Sequence, residues 1–334
     1  MNSRINKYQE DLDKFLKTKS FIKDTSKMTQ NIINNVLELT EHFPAILCLT
    51  ILNNQCKKID IKILHGYYIA SGIDILMLVT KICNNRDYFN SIYGSINIDN
   101  MITETTNYFY KCITQNIEIL RDSRDGIIHN RLTQLCIEYA TKLMSSITFK
   151  NNLSSNNKMK KTDLFCMSNI NEFYNDYKKK NKLDENIIIE DTNKRYGSIC
   201  KLAVILGWVL GLGDDTCLNK IKSLSDNKEI NNLEKLADDI GLFLKIYDDF
   251  KNIVRDIKIG QYSMNYVINY GIKQSFIKLT ETKTKFLEGI VILKIETRTI
   301  KEIIEMVMTN VDEIIKDVSV DMNTQYDDVS MIFE

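Results

Sequence analysis

Apolar residues recur along this chain with the three- and four-residue spacing of amphipathic α-helices. The clearest example is the segment 296–316, where Ile300, Ile303, Val307 and Val311 fall on one helical face. No comparable stretch alternates apolar and polar residues as a half-buried β-strand does. The pattern therefore predicts an all-α fold.

Polar turns divide this pattern into successive helices. The strongest predicted helices cover 59–83, 99–121, 127–147, 192–210, 232–256 and 296–316. Pro44 is expected in the first turn of another helix, where a missing N–H group breaks no hydrogen bond. The chain has 334 residues but only one proline and 12 glycines, so few positions interrupt the helices. We expect long helices with few turns.

The polar segments indicate where a single domain begins and ends. Residues 1–27 are mostly polar and are predicted to form an N-terminal arm or capping helix. Residues 28–316 form the predicted helical domain, which contains a polar insertion at 149–182 rich in Asn, Ser and Lys. Residues 317–334 form a polar tail that we expect to fray. Because no repeat of fixed period is present, one domain is the simplest organisation.

Composition and charge narrow the functional classes. Apolar residues make up 44% of the chain, enough for a sizeable core. The 44 basic side chains balance the 44 acidic ones, which gives no argument for binding to nucleic acid or to an anionic membrane. No window approaches 18 uninterrupted apolar residues, so we expect no membrane span. The eight cysteines form no CxxC pair and are interpreted as reduced core thiols, typical of a soluble, cytoplasmic protein.

One stretch carries the side chains of a candidate metal site. Asp248, Asn252 and Asp256 follow one another at intervals of four residues, a spacing that places them along one side of an α-helix. Carboxylate and amide oxygens are suitable ligands for a hard cation such as Mg²⁺. Arg255 stands beside them and can hold a phosphate oxygen. The pattern indicates a Mg²⁺ site that faces a diphosphate, with a solvated acidic helix face as the alternative interpretation.

The residues around this stretch resemble a known family. The run 241–252, Gly-Leu-Phe-Leu-Lys-Ile-Tyr-Asp-Asp-Phe-Lys-Asn, resembles the second aspartate-rich segment of the trans-isoprenyl diphosphate synthases, in the form found in geranylgeranyl diphosphate synthases. The run 195–204, which begins Arg-Tyr-Gly-Ser, is similar to that family's Lys-Thr-Gly helix, whose lysine holds diphosphate. Residues 91–94 and 260–263 resemble two further segments of the family, in the expected order.

The departures from that family point to a relative that uses a single substrate. Elongating synthases bind isopentenyl diphosphate with a Gly-Lys-x-x-Arg-Pro segment, of which residues 40–44 retain only Pro44. The family's arginine pair after the first aspartate motif has no counterpart in residues 87–91. The run 248–256 matches the second metal motif of class I terpene synthases except at Asn252. The chain is therefore most similar to a class I terpene synthase.

This resemblance implies a fold, a reaction and a cofactor. The fold is a single-domain bundle of antiparallel helices around a central apolar cavity. The reaction is ionisation of an allylic prenyl diphosphate, with farnesyl diphosphate as the preferred substrate, and conversion of the carbocation to a terpene. The cofactor is Mg²⁺, with about three ions in each active site. The family tends to form homodimers.

The resemblance also assigns roles to individual residues. The metal ligands on one wall of the site are Asp248, Asn252 and Asp256, and those on the opposite wall, in a degenerate first motif, are Asn84 and Asp87. The catalytic residues that hold the diphosphate are Arg195 and Arg255. The remaining substrate-binding candidates are Asp249, Lys251, Gly197, Trp208 and Phe109.

Two other functions remain open. The first is a short-chain prenyl-elongating synthase, which makes geranylgeranyl or farnesyl diphosphate. The second is a non-catalytic subunit or binding protein on the same fold, which the degenerate first motif favours. Outside the motifs, Asp74 is interpreted as a hydrogen-bonded core carboxylate, because it is a lone acid on an apolar helix. His42, His65 and His129 lack the spacing of metal ligands and are assigned no catalytic role.

Overall fold

The computed structural model describes residues 4–37, 41–58, 66–122, 130–148, 183–212, 227–259 and 264–325. Within these ranges the chain is α-helical and contains no β-strand, which confirms the predicted all-α, single-domain class. No helix in this part of the chain is long and apolar enough to cross a membrane. The predicted insertion at 149–182 and the segment 260–263 lie outside the described residues.

The helices follow one another in chain order. They are α1 (Arg4–Thr18), α2 (Lys27–Leu37), α3 (Phe43–Lys58), α4 (Tyr67–Asn84), α5 (Arg86–Tyr93), α6 (Ser95–Asp122), α7 (Asn130–Thr148), α8 (Glu185–Thr192), α9 (Ser198–Leu212), α10 (Lys228–Ile259), α11 (Tyr266–Ile292) and α12 (Arg298–Gln325). A 3₁₀ turn at Phe21–Asp24 follows α1, and a π-helical turn at Asn193–Gly197 joins α8 to α9. Pro44 lies in the first turn of α3, as predicted.

Helix α9 is the centre of the fold, because it is apolar on every side and such helices are buried. It packs against α3, α4, α7 and α10. Its apolar side chains between positions 202 and 210 are at most 4% exposed. The backbone of α3 comes close at Gly207, where a Cβ atom would lie 2.7 Å from the carbonyl oxygen of Cys48. The π-helical turn that precedes α9 also packs against this helix.

Helix α4 lies between two parts of the hydrophobic core. Ile73 and Leu76 belong to the main core cluster, which includes residues of α3, α9 and α10. Ile75 and Leu78 belong to a second cluster, which includes residues of α2 and α6. Both sides of α4 are therefore buried.

The residue that caps α11 also connects this helix to α10. The Asn265 side chain accepts a hydrogen bond from the Ile268 N–H group and so caps the start of α11. Its Nδ2 atom also donates to Asp256 Oδ2 at 2.9 Å and to the Asp249 carbonyl oxygen at 3.2 Å. The first turn of α11 is therefore attached to the polar stretch of α10.

Some element boundaries differ from the sequence prediction. Helix α12 continues past residue 316 to Gln325, because the residues that follow include neither proline nor glycine. The predicted helix 192–210 begins with the π-helical turn instead of regular α-helix. The predicted capping helix, α1, is part of the fold, since it buries Ile5, Leu12 and Leu16. The cysteines in the described ranges are buried and free, as predicted for reduced core thiols.

Candidate functional site

Five polar residues from three elements meet at the end of α4. Lys81 and Asn84 belong to the last turn of α4, Arg195 and Tyr196 to the π-helical turn, and Asp248 to the middle of α10. We call these five residues the α4–α10 cluster. Three of its members, Asn84, Arg195 and Asp248, are residues that the sequence assigned to the diphosphate site. Folding therefore brings these three predicted residues together from distant parts of the chain.

Direct hydrogen bonds hold the α4–α10 cluster together. Lys81 Nζ donates to Asp248 Oδ1 at 3.1 Å, and the Tyr196 hydroxyl donates to Asp248 Oδ2 at 2.7 Å. Arg195 donates from Nη1 to the amide oxygen of Asn84. Both carboxylate oxygens of Asp248 and the amide oxygen of Asn84 thus have donors supplied by the protein itself.

The π-helical turn directs Arg195 and Tyr196 into this cluster. A π-helical turn accommodates an extra residue, and such turns are frequent at functional sites. Both side chains are buried, and Arg195 Nε also reaches Asp191 Oδ1 at 3.3 Å. The turn packs closely on α10, because a Cβ atom on Gly241 would lie 2.6 Å from the Gly197 nitrogen. The structure places Gly197 in this helix contact, next to the cluster.

Asp248 is the ionised carboxylate of the cluster. Burial alone would raise the pKa of its carboxyl group, but the charge of Lys81 and hydrogen bonds from Tyr196 and Lys81 lower it to about 2. The Asp248 side chain is 17% exposed and that of Lys81 is 22% exposed. The two residues form a sheltered ion pair whose charges cancel.

Asp249 and Asp256 lie on a different side of α10. Asp249 accepts hydrogen bonds from Lys245 Nζ and, at 2.9 Å, from the Tyr266 N–H group. Asp256 accepts one from Arg255 Nη2 at 3.0 Å, in addition to the bond from the cap of α11. Burial raises the pKa of both carboxyl groups, and that of Asp249 reaches about 7 despite the charge of Lys245. These two residues attach α10 to the start of α11.

Helical geometry explains why the predicted row of ligands divides. At roughly 100° per residue, Asp248 and Asp256 point about 80° apart around α10, whereas Asp249 and Asp256 point only about 20° apart. Asn252 lies between the two ends of the row, and its Nδ2 atom donates to the Asp248 carbonyl oxygen at 2.7 Å. A four-residue spacing therefore brings neighbours together but separates the first and third members.

The other predicted residues lie outside the cluster. Asp87 is exposed in the first turn of α5. Lys251 Nζ donates to Glu41 Oε1 at 2.9 Å. Phe109 and Trp208 are buried in the main hydrophobic core.

A small cavity adjoins the cluster. Its volume is about 30 Å³, and its lining includes His42, Asp74, Lys81, Tyr196 and Asp248. A cavity of this size has room for water. The Asp74 carboxylate is 2% exposed and accepts a hydrogen bond from His42 Nδ1, which confirms the predicted core hydrogen bond of Asp74.

His42 links this cavity to α1. Its Nε2 atom lies 3.4 Å from Asp13 Oδ1, and its backbone φ of 58° is in the left-handed region. Burial alone would lower the pKa of His42, but the charges of Asp74 and Asp13 and their hydrogen bonds outweigh it, so that the pKa is raised. His42 was assigned no role from the sequence, and it belongs to a buried charged group next to the α4–α10 cluster.

Sequence reasoning missed the two lysines that neutralise acids of α10. Lys81 and Lys245 each interrupt an otherwise apolar helical stretch, at 75–83 and 242–247. A lysine in such a stretch is almost never buried unless an acidic side chain accompanies it. The same signal identified Asp74 as a core carboxylate, and it could have identified these lysines.

The side chains of the site do not fit the predicted Mg²⁺ centre. Each carboxylate of the second motif has a basic partner within the protein: Asp248 has Lys81, Asp249 has Lys245, and Asp256 has Arg255. On the opposite wall, the amide oxygen of Asn84 accepts a hydrogen bond from Arg195. Across the described ranges, no three His, Cys, Asp or Glu side chains are grouped so that they could hold a metal ion.

The comparisons with known proteins identify no family for this chain, so the interpretation of the site rests on the chemistry of its residues. No protein-family model matches the chain, and no curated protein matches it at a significant level.

Proposed function

We propose that this chain is a non-catalytic protein on a scaffold of isoprenoid-synthase type, acting as a subunit or binding protein. One observation carries the proposal: each acid of the second motif is neutralised by a basic side chain of the same chain. Ionisation of a diphosphate requires cations that gain interactions as negative charge develops on the leaving group. Cations that are already paired with carboxylates in the resting protein are poorly suited to that task.

The charge balance of the cluster supports the same conclusion. Within the cluster, Lys81 and Arg195 provide two positive charges and Asp248 provides one negative charge. Asp191 of α8, which lies outside the cluster but contacts Arg195, provides a second negative charge. A diphosphate carries several negative charges and is held by a surplus of basic groups. A metal ion that bound Asp248 would also have to displace Lys81. The cluster therefore resembles a closed polar network between α4 and α10.

A specific observation favours a second candidate, the class I terpene synthase. Arg195, Asn84 and Asp248 meet at one place, as the resemblance implies for residues that surround a diphosphate. In this candidate Arg195 would hold a diphosphate oxygen through its planar set of donors. Excluded water would then protect the carbocation from premature quenching. Such a reaction requires a larger cavity than the one beside Asp248.

The prenyl-elongating alternative lacks comparable support. Residue 41 stands where elongating synthases need basic side chains, and it is a glutamate. Glu41 Oε1 accepts hydrogen bonds from Tyr247 at 2.5 Å and from Lys251 at 2.9 Å. An acid held in this position repels a second diphosphate.

One experiment separates the three functions. The purified chain is incubated with Mg²⁺ and farnesyl diphosphate, with and without isopentenyl diphosphate, and the products are identified by gas chromatography–mass spectrometry. We expect no terpene and no longer prenyl diphosphate. A terpene made without isopentenyl diphosphate would overturn our proposal in favour of the terpene synthase. A longer prenyl diphosphate that requires both substrates would overturn it in favour of the elongating synthase. Turnover that survives in Arg195→Ala does not arise at the cluster.

A further inference from the structure

Lys81 occupies an unusual position at the end of α4. The preceding residues of the helix, from Ile75 to Thr80, are buried, and so are Ile82 and Cys83. The Lys81 ammonium group reaches across to α10 and lies 3.1 Å from Asp248 Oδ1. A cation is also favoured here by the helix itself, because the last turn of a helix carries unsatisfied carbonyl oxygens.

We propose that the Lys81 ammonium group replaces a divalent cation between α4 and α10 and thereby prevents metal binding at Asp248. The proposal rests on the proposed function and explains why Mg²⁺ does not bind at Asp248. Two cations cannot share one carboxylate oxygen at short range without strong repulsion. While Lys81 is in place, its charge already neutralises Asp248 Oδ1, the carboxylate oxygen that it contacts.

The neighbouring side chains show what would remain without the lysine charge. Among the described residues, Lys81 is the basic side chain that forms an ion pair with Asp248, and without its charge Tyr196 would still donate to the other carboxylate oxygen. Asn252 is one helical turn further along α10 and has an amide oxygen. Carboxylate and amide oxygens together suit a hard divalent cation, which completes its coordination with water. Neutralising Lys81 should therefore create a metal site.

The test measures binding of Mn²⁺ alone, because electron paramagnetic resonance distinguishes free from bound Mn²⁺ directly. Wild type is compared with Lys81→Met, which removes the charge but keeps an unbranched side chain. Lys301→Met is the control, since it removes the same type of side chain from an ion pair with Glu296, and neither of these residues lines the cavity beside Asp248. The double variant Lys81→Met/Asp248→Asn tests whether any new site uses Asp248. Competition with Mg²⁺ establishes that the site accepts the smaller ion.

We expect Lys81→Met to bind Mn²⁺ at least about tenfold more tightly than wild type, given the repulsion between a unit charge and a divalent ion at short range. Lys301→Met should bind as wild type does, and the double variant should lose the gain. Equal affinity of wild type and folded Lys81→Met would overturn the proposal. If circular dichroism shows that Lys81→Met does not fold, Lys81→Gln is held to the same criterion.

The two proposals fail in different ways. Turnover of farnesyl diphosphate by wild type would overturn the proposed function, whatever the Mn²⁺ affinities are. An inactive wild type whose Mn²⁺ affinity does not change on substitution of Lys81 would overturn only the role of Lys81.

Discussion

Adjacent carboxyl groups on α10 differ in acidity because their neighbours differ. The pKa of Asp248 is about 2, and that of Asp249 is about 7. Burial raises both values, but Lys81 and Tyr196 overcompensate at Asp248, whereas Lys245 and the Tyr266 N–H group compensate only partly at Asp249. One step along a helix turns a side chain by roughly 100°, so each carboxyl group meets a different set of donors.

His42 is expected to make the stability of the protein depend on pH. Its pKa in the folded protein is raised above the ordinary value of 6.5, because Asp74 and Asp13 outweigh the effect of burial. The stabilisation from its charged form is therefore complete below about pH 6.5 and is lost as the pH rises through the raised pKa. Relative to His42→Asn, the free energy of unfolding of wild type, measured by urea titration, should fall as the pH rises above about 6.5.

Asparagine is the matched replacement at this position. It tolerates the positive φ of His42 better than most residues and does not titrate. Wild-type and His42→Asn stability curves that run parallel over this pH range would show that His42 does not change its protonation there.

At the scale of elements, the π-helical turn and α10 meet through two glycines. A Cβ atom on Gly197 would lie 2.6 Å from Asp238 Oδ1, and one on Gly241 would lie 2.6 Å from the Gly197 nitrogen. Asp238 in turn pairs with Lys201 of α9 at 2.8 Å. The close approach of the two backbones, and with it the position of Arg195, depends on the absence of side chains here.

Gly241→Ala should therefore destabilise the protein even though alanine favours helix. Crowding against the backbone of another element typically costs about 1–3 kcal/mol, while the gain in helix propensity is about 1 kcal/mol. We expect a net loss in the free energy of unfolding, measured by urea denaturation. Gly289→Ala on α11 is the control, because its Cβ atom would meet only the end of the flexible Leu236 side chain. Equal effects of the two substitutions would contradict the importance of this backbone contact.

At the scale of the whole molecule, the burial of the helices is uneven. Helix α9 is enclosed by four other helices. Helix α5 buries none of its residues and exposes Tyr88 and Ile92. The free energy of local opening generally follows the number of buried apolar contacts. The α4–α10 cluster lies between these extremes, at the point where α4 ends and α5 begins.

Native-state hydrogen exchange should reproduce this difference. We expect the backbone amides of α5 to exchange first and those of α9 to exchange last, close to the rate set by global unfolding. Peptide-level mass spectrometry can follow both helices in one experiment. Protection of α5 equal to that of α9 would contradict the prediction. Protection of α5 that increases with protein concentration would indicate that a second copy covers this helix.

The sequence by itself determined the fold class and most of the helices. The spacing of apolar residues is a local property, so it predicts α4, α9, α10 and α12 without knowledge of their partners. The family resemblance, and not the apolar spacing, selected Asn84 and Arg195, which the structure brings into one cluster with Asp248. Where helices begin and end was less predictable, as the π-helical turn before α9 shows.

Only the tertiary structure decided which charges meet. Lys81 and Asp248 are 167 residues apart, and their contact depends on how α4 and α10 pack and on the rotation of each helix about its axis. The same rotation directs Asp256 to the cap of α11, whereas the angle of about 80° between Asp248 and Asp256 follows from helical geometry alone. An amphipathic pattern specifies which side of a helix is buried, but not which side chain of another helix will face it.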